Sequence, residues 1–322
     1  MRNEYIKMTG DACTRAQLLE ECERRGVTRY KSKTKAQLVQ LIEGKSDSAV
    51  GTTEEAGAED RKFVSIRTLL GDCLEEMPRL ENSSVDLILC DLPYGMTKNP
   101  WDGVIPFDTL WKEYNRVIKD NGAIVLFGSQ PFTSLLITSN TKMFRYCLVW
   151  EKNKFSDFLN AKRKPMKTNE DIAVFYKKQP TYNPQYWYST PYKRWNTQEA
   201  VDKQSNYGSH KENVAESTDG KRLPTTVLKF NRVERPSHPT EKPVDLLEWL
   251  IRTYSNEGDL VMDSCMGVGS TGVACVNTKR RFIGIELEEK YVDIAHERLG
   301  ISINNRDERD SGGESSGVEA GV

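Results

Sequence analysis

The sequence predicts an α/β fold, a doubly wound parallel sheet preceded by a small helical module. Three observations carry that expectation. Short continuous apolar runs of strand length alternate with stretches of helical period. Strands without polar alternation are buried on both faces, as they are inside a parallel sheet covered by helices. A glycine-rich turn joins one such strand directly to a helix over 258–276. With 322 residues, 37% apolar and 29% charged, the chain can bury one full α/β core and still carry a small second module.

The segment 14–44 reads as two short helices, TRAQLLEECERRG and KTKAQLVQLIEG. Each opens on Thr and closes near Gly, which are start and stop signals. Leu18, Leu19 and Cys22, then Leu38, Leu41 and Ile42, supply the apolar faces at i, i+3, i+4 spacing. The loop side carries Arg29, Lys31, Lys33 and Lys35. Residues 45–61, KSDSAVGTTEEAGAEDR, are small and polar without period, as in a flexible linker. The α/β body follows over 62–300. Its strands are VSIRTLLGD, VDLILCD, GAIVLFGS, FRYCLVWEK, DIAVFYKK, GDLVMDS and RFIGIEL. Its helices fall on FDTLWKEYNRVIKDN, PVDLLEWLIRTYSN and STGVACVNTKR. The tail, 301–322, has the composition of a disordered segment.

Composition also excludes some classes. Seven cysteines form no CxxC pair, and the three histidines (His210, His238, His296) stand at no ligand spacing from them, so no metal site is expected. No secretory leader and no apolar run of membrane-spanning length is read in the sequence, so a reducing, intracellular compartment and no membrane partner are expected. The net charge of −1 leaves any polyanion affinity to local patches.

In GDLVMDSCMGVGSTGVACV, Gly267, Gly269 and Gly272 satisfy G-x-G-x-x-G spacing, which lets a ligand approach the backbone closely. A dinucleotide-binding oxidoreductase is the competing reading. Against it, the turn lies only about 50 residues before the last residue given, too few for the second nucleotide-binding half. Asp263, at the strand tip before the glycines, would also repel a pyrophosphate while suiting a cationic cofactor. Glu286, at the tip of the next strand, is placed to accept ribose hydroxyls and serves either cofactor.

A second strand, VDLILCD, ends in DLPYG and so delivers a carboxylate, a proline, an aromatic ring and a glycine to one point. DLPYG followed about 170 residues later by DSCMGVGSTG resembles the permuted (beta-class) DNA N6-adenine/N4-cytosine amino-methyltransferases. LLGDCLEEM, FRYCLVWEKN, NEDIAVFYKK and SHPTEKPVDLLEWLI match that family in the same order, over about residues 64–299. The resemblance implies a Rossmann-like methyltransferase sheet with circularly permuted motif order and S-adenosyl-L-methionine as cofactor. It implies contacts to that cofactor from Asp72, Asp91, Lys242, Pro243, Asp263, Cys265, Gly267, Gly269, Thr271 and Glu286. Without the family, KPVD is still a proline-initiated helix start and an anion seat. The helical pair at 1–44 resembles a SAP-like DNA-binding module.

The chemistry explains the DLPYG pattern. An exocyclic amine on a base is a poor nucleophile, so its lone pair must be aimed and its N–H protons accepted as charge develops. Asp91 accepts one N6 hydrogen bond, the backbone carbonyl beside Pro93 the second, and Tyr94 offers a stacking face to a flipped base. Leu92 departs from the family's usual double proline, which leaves the carbonyl less rigidly fixed. Asp rather than Ser at the first position favours adenine N6 within the family. Trp101 and Asp102 are candidates to cap the pocket, and Cys90 and Cys265 are expected as small core or lining residues.

Residues 151–235 carry 17 Lys plus Arg against 10 Asp plus Glu, with twelve aromatics between them. Local cations and stacking rings suit double-stranded DNA, and in the permuted class the target-recognition insertion lies here, at about 155–235. Lys162, Arg163, Lys164 and Lys167 form the densest cluster, with Lys193, Arg194, Lys221 and Arg222 as further contacts. The resemblance allows a homodimer, and nothing in the residues demands one. The expected function is therefore adenine N6 methylation of DNA. The alternatives are a cytosine N4 or RNA amino-methyltransferase, or an inactive DNA-binding relative.

Overall fold

The computed structural model describes residues 65–95, 103–194 and 215–301. The helical pair at 14–44, the linker at 45–61, Trp101, Asp102 and the tail beyond Ile301 lie outside the described residues. The first half of the body runs β1 (Ile66–Leu70), α1 (Cys73–Glu76), β2 (Val85–Cys90), α2 (Phe107–Val117), β3 (Ile118–Gly128), α3 (Phe132–Ser139), β4 (Phe144–Ser156) and β5 (Lys167–Phe175). Four short strands follow, β6 (Trp187–Tyr188), β7 (Tyr192–Arg194), β8 (Ala215–Ser217) and β9 (Lys221–Arg222). The chain then returns through β10 (Val227–Phe230), α4 (Val244–Tyr254), β11 (Leu260–Asp263), α5 (Ser270–Asn277), β12 (Arg281–Glu286) and α6 (Glu289–Leu299).

Eight strands form one sheet in the order β1-β12-β11-β2-β3-β5-β4-β10. Its pairings are parallel except those of β5, which runs antiparallel to both β3 and β4. The expectation of a parallel sheet therefore holds for seven strands. The exception has a simple cause: β4 returns into β5 through residues 157–166 alone, and strands joined without a longer crossover connection pair antiparallel.

The sheet is buried on both faces. In β2, Val85, Ile88 and Cys90 enter one core with Leu110, Trp111 and Tyr114 of α2 and Phe132 and Leu136 of α3. The alternate residues Leu87 and Leu89 enter the other, with Leu246, Leu250 and Ile251 of α4, Cys275 of α5 and Ala295 of α6. Leu87, Ile88 and Leu89 are almost fully buried in succession, each stabilising by about 1.5–3 kcal/mol. That double burial is why LILC, past the partly exposed Asp86, reads as an unbroken apolar run.

Three helices lie outside the sequence expectation, the single turn α1 and two longer ones. FTSLLITS, α3, buries Phe132, Thr133 and Leu136, and α6 ends on Gly300 in the left-handed conformation. The helix expected over 107–121 stops at Val117, because Ile118 turns extended and pairs with Val85. From β2 the chain moves outward to β3, and from β11 it moves the opposite way to β12. The reversal opens a crevice at the carboxyl ends of β2 and β11, where α/β sheets bind ligands.

Candidate active site

Strand β2 ends at Cys90, so Asp91 is the first residue past the sheet edge. Next to it, β11 pairs with β2 (Met262 beside Ile88) and ends on Asp263. The two motifs therefore meet although about 170 residues separate them. Between them lies a cavity of about 340 Å³ lined by Asp91, Leu92, Pro93 and Tyr94 on one side and Asp263, Cys265, Gly267 and Thr271 on the other. Asp72, Lys242 and Glu286 complete the wall.

Both oxygens of Asp91 are engaged. Tyr94 Oη donates to Oδ1 at 2.5 Å, and Lys242 Nζ donates to Oδ2. Lys242 also lies 3.5 Å from Glu170 Oε2 and donates to the Thr240 carbonyl at 3.2 Å. Glu170 in turn pairs with Lys152. The result is a buried chain of alternating charge, Asp91–Lys242–Glu170–Lys152. Burial pushes the Asp91 carboxyl up, and the Lys242 ammonium opposes that push. Burial also works against the charge on Lys242, but Asp91 and Glu170 outweigh it and hold its pKa above the ordinary lysine value. For Glu170 burial is likewise outweighed, by Lys242 and Lys152, and its carboxyl stands below the usual range.

On the opposite wall Asp263 is only 4% exposed. Thr271 Oγ1 donates to its Oδ2 at 2.6 Å and the Cys265 N–H to its Oδ1 at 3.1 Å. Burial nevertheless raises its pKa to about 6, against those hydrogen bonds. Glu286 accepts from the Gly267 and Glu288 N–H groups at 2.9 and 3.0 Å, and burial raises its pKa as well. Asp72 caps α1, its Oδ1 accepting from Leu74 N at 2.8 Å.

The glycines divide their work. Gly267 has φ +52, and a Cβ there would meet nothing within 4 Å, so its wall is open to a ligand. Gly269 has φ +76, and its Cβ would lie 2.8 Å from Ala295 Cβ. Gly269 therefore packs against α6 and stands outside the cavity lining, contrary to the sequence expectation. Pro243 also stands outside it: the residue is buried as the cap of α4 and turns its neighbour Lys242 inward.

Other expectations sharpen. Leu92 is buried among core residues and its rear face closes the pocket. Cys90 and Cys265 line the cavity beside Cys73. All cysteines among the described residues are free, and those residues contain no cluster able to hold a metal. The ring of Tyr94 is backed by Phe132, with centroids 4.9 Å apart.

The eight cations expected to contact DNA separate into three groups. Lys162, Arg163 and Lys164 are exposed on the turn between β4 and β5, with Lys164 paired to Asp157 at 2.5 Å. Lys167, at the root of that hairpin, donates to Ser129 Oγ and is tied to the body. In the two small ladders Lys193 is exposed and Arg194 ends β7. There Lys221 sits 3.8 Å over the Tyr186 ring, and Arg222 lies over Tyr192 and donates to the Thr190 carbonyl. Lys221 and Arg222 thus hold the ladders together, a role that a charge count does not reveal.

Sequence reasoning missed four residues of the site. Glu170, Glu241 and His238 stand inside motifs read for their neighbours, and Phe127 carries no local signal. His238 meets Tyr291 edge-on at 4.4 Å, and burial lowers its pKa. Glu241 pairs with Arg298 at 2.9 Å and accepts from Ser270 at 3.2 Å. Arg298 also donates to the Val268 carbonyl at 2.9 Å, so α6 staples the glycine loop to the TEKP segment.

A family model described as DNA methylase (N6_N4_Mtase) matches residues 85–297, which include most of the cavity wall. The chain belongs to this DNA methylase family. It is similar to the DNA adenine methyltransferase YhdJ of Escherichia coli (strain K12), 29% identical over 273 residues, which cover 76% of this chain and 87% of that protein. It is also similar to the Type II methyltransferase M.HpaI of Haemophilus parainfluenzae, 26% identical over 262 residues, covering 76% and 77% respectively. Among solved structures, the PvuII DNA methyltransferase (cytosine-N4-specific) superposes with a TM-score of 0.54 at 17% identity, covering 76% of this chain and 88% of that one. The M1.HpyAVI-SAM complex does so with a TM-score of 0.50 at 24% identity, covering 73% and 100%. At those identities the two structures establish a shared fold. No helix among the described residues is long and apolar enough to cross a membrane.

Proposed function

We propose that the protein transfers a methyl group from S-adenosylmethionine to the N6 amine of a flipped adenine within a specific sequence of double-stranded DNA. One observation carries the reading: the acceptor motif and the glycine loop face each other across a single cavity whose wall holds five carboxylates and one ammonium. Such a wall disfavours a pyrophosphate and favours a cation. The relative YhdJ, named a DNA adenine methyltransferase, agrees with it.

The residues fit that cofactor. Asp263, Glu286 and Asp72 are placed to take its polar and cationic groups, and the open wall at Gly267 leaves room against the backbone. When bound, it supplies an electrophilic methyl carbon on a sulfonium. Asp91 accepts a hydrogen bond from one N6 N–H without releasing its present partners, because a carboxylate offers about four lone-pair sites. The carbonyl beside Pro93 accepts the hydrogen bond of the other N–H, which aims the amine lone pair into the cavity. Tyr94, backed by Phe132, takes the base on its ring, offsetting an unstacking cost of a few kcal/mol. The transfer is direct, and no cysteine serves as nucleophile. The helical module read over 1–44 adds affinity for the duplex, the protein acts inside the cell, and nothing in the reaction requires a homodimer.

The test is nucleoside analysis of DNA and RNA incubated with the protein and labelled cofactor. N6-methyladenine in DNA is the expected product; N4-methylcytosine, or label in RNA alone, refutes the assignment. Asp91→Ala should lower transfer by roughly 100-fold or more while calorimetry still detects cofactor binding. Retained transfer would show that Asp91 is not the acceptor.

A further inference from the structure

The turn between β4 and β5 presents its apolar side chains to solvent. Phe155, Phe158, Leu159 and Met166 are 55, 68, 84 and 40% exposed. A soluble surface rarely concentrates four large apolar groups within twelve residues without a partner. The backbone beneath them is fully organised. Asp157 adopts φ +67 and Phe158–Asn160 form one turn of 3-10 helix. Asn160 donates to Asp157 Oδ1 at 2.6 Å, Lys164 pairs with the other oxygen at 2.5 Å, and the Arg163 N–H donates to the Asn160 carbonyl at 2.8 Å. Phe158 and Leu159 are therefore held out on a rigid tip.

The tip's position is equally specific. β4 is parallel to β10 and, across β5, runs in the same sense as β3 and β2. Its carboxyl end thus projects from the sheet edge that carries Asp91. At the root, Trp150 stands opposite Glu170, the residue that pairs with Lys242 beside Asp91. The hairpin thus rises from the strand pair that sets Glu170 behind Lys242.

We propose that Phe158 and Leu159 form a wedge that enters the DNA stack where the target base is withdrawn, while Lys162 and Arg163 take the flanking phosphates. The inference rests on the DNA reading above. Charge selects the occupant. Between Asn153 and Asn169 the only acid is Asp157, already paired, against Lys154, Lys162, Arg163, Lys164 and Lys167. An apolar summit inside a collar of cations matches a duplex, apolar in its stack and anionic at its rim. A second copy would bring the same cations face to face.

The experiment compares methyl transfer by the full chain to two oligonucleotide duplexes carrying the target site, which is located beforehand by sequencing methylated DNA. One has a paired target adenine and the other a mismatch opposite it, which lowers the cost of extrusion. The double substitution Phe158→Ala with Leu159→Ala should slow transfer to the paired duplex by roughly 10- to 100-fold and to the mismatched one by less than about 3-fold. Unchanged cofactor affinity checks that the variant is folded. Lys162→Ala with Arg163→Ala should instead weaken binding to both duplexes alike and flatten its salt dependence. Equal losses on both duplexes, no loss on either, or a loss that light scattering traces to a dissolved dimer would overturn the wedge. If the unaltered protein methylates neither duplex but binds cofactor, it is the parent reading that fails.

Discussion

Glu170→Gln isolates the ionic chain behind the acceptor carboxylate. Glu170 Oε2 is buried without a hydrogen bond and lies 3.5 Å from the Lys242 ammonium, while the other oxygen holds Lys152. At an effective dielectric of about 20, one such contact amounts to roughly 5 kcal/mol gross, most of which desolvation cancels. Removing one partner leaves the others uncompensated, and buried pairs broken that way typically lose about 3–5 kcal/mol. For a body of this size that corresponds to a fall in Tm of roughly 6–20 °C. The same change shifts the chemistry in a definite direction. The groups acting on Asp91 are Lys242 and Tyr94, which lower its pKa, and Glu170, which raises it, with His238 and Asp263 further along the wall. Without the Glu170 charge the Asp91 pKa falls, so the acidic limb of the kcat profile moves to lower pH. Lys242→Met must move it the other way. Differential scanning calorimetry and a pH-rate profile with labelled cofactor measure both effects. An acidic limb that stays fixed in Glu170→Gln, or that moves the same way in both variants, refutes the idea that this chain sets the state of Asp91.

Three further outcomes are expected. Asp263 has its folded pKa raised to about 6 by burial, so its contribution to stability is present below its unfolded value near 3.9 and is lost as pH rises through 6, to a total of about 3 kcal/mol. Denaturant titrations of the cofactor-free protein should therefore show Asp263→Asn gaining on the native chain between pH 4 and 7; parallel curves would contradict the burial argument. Gly269→Ala forces a left-handed alanine against Ala295 and should cost about 2–4 kcal/mol. Gly267→Ala has open space and should cost only about 1–2 kcal/mol while weakening cofactor binding more, as calorimetry would reveal. Tyr94→Phe removes the hydroxyl on Asp91 but keeps the ring, so transfer should fall by roughly 10- to 100-fold, the worth of one hydrogen bond to a charged group, whereas Tyr94→Ala, which loses the stacking face as well, should fall further.

What the sequence makes legible is what short-range chemistry encodes. Asp91 and Asp263 can be placed at strand tips because the apolar runs before them end abruptly on a charge, and a parallel sheet gathers such tips along one edge. Gly267 and Gly269 look alike in the motif, yet one borders a ligand space and the other a helix. That difference arises from α6 packing on the loop, a contact between residues 26 apart in sequence that no local pattern records. Glu170 escapes for the same reason. In NEDIAVF it reads as one polar residue opening a strand, and only the antiparallel return of β5 beside β4 sets it against Lys152 and Lys242. The antiparallel strand thus does two things that composition does not announce. It places a buried carboxylate behind the acceptor, and it turns the β4 end into a hairpin whose apolar tip stands over the same edge. A sheet that was parallel throughout could keep both strand-tip motifs, but it would lack that tight return and with it both features that this strand contributes.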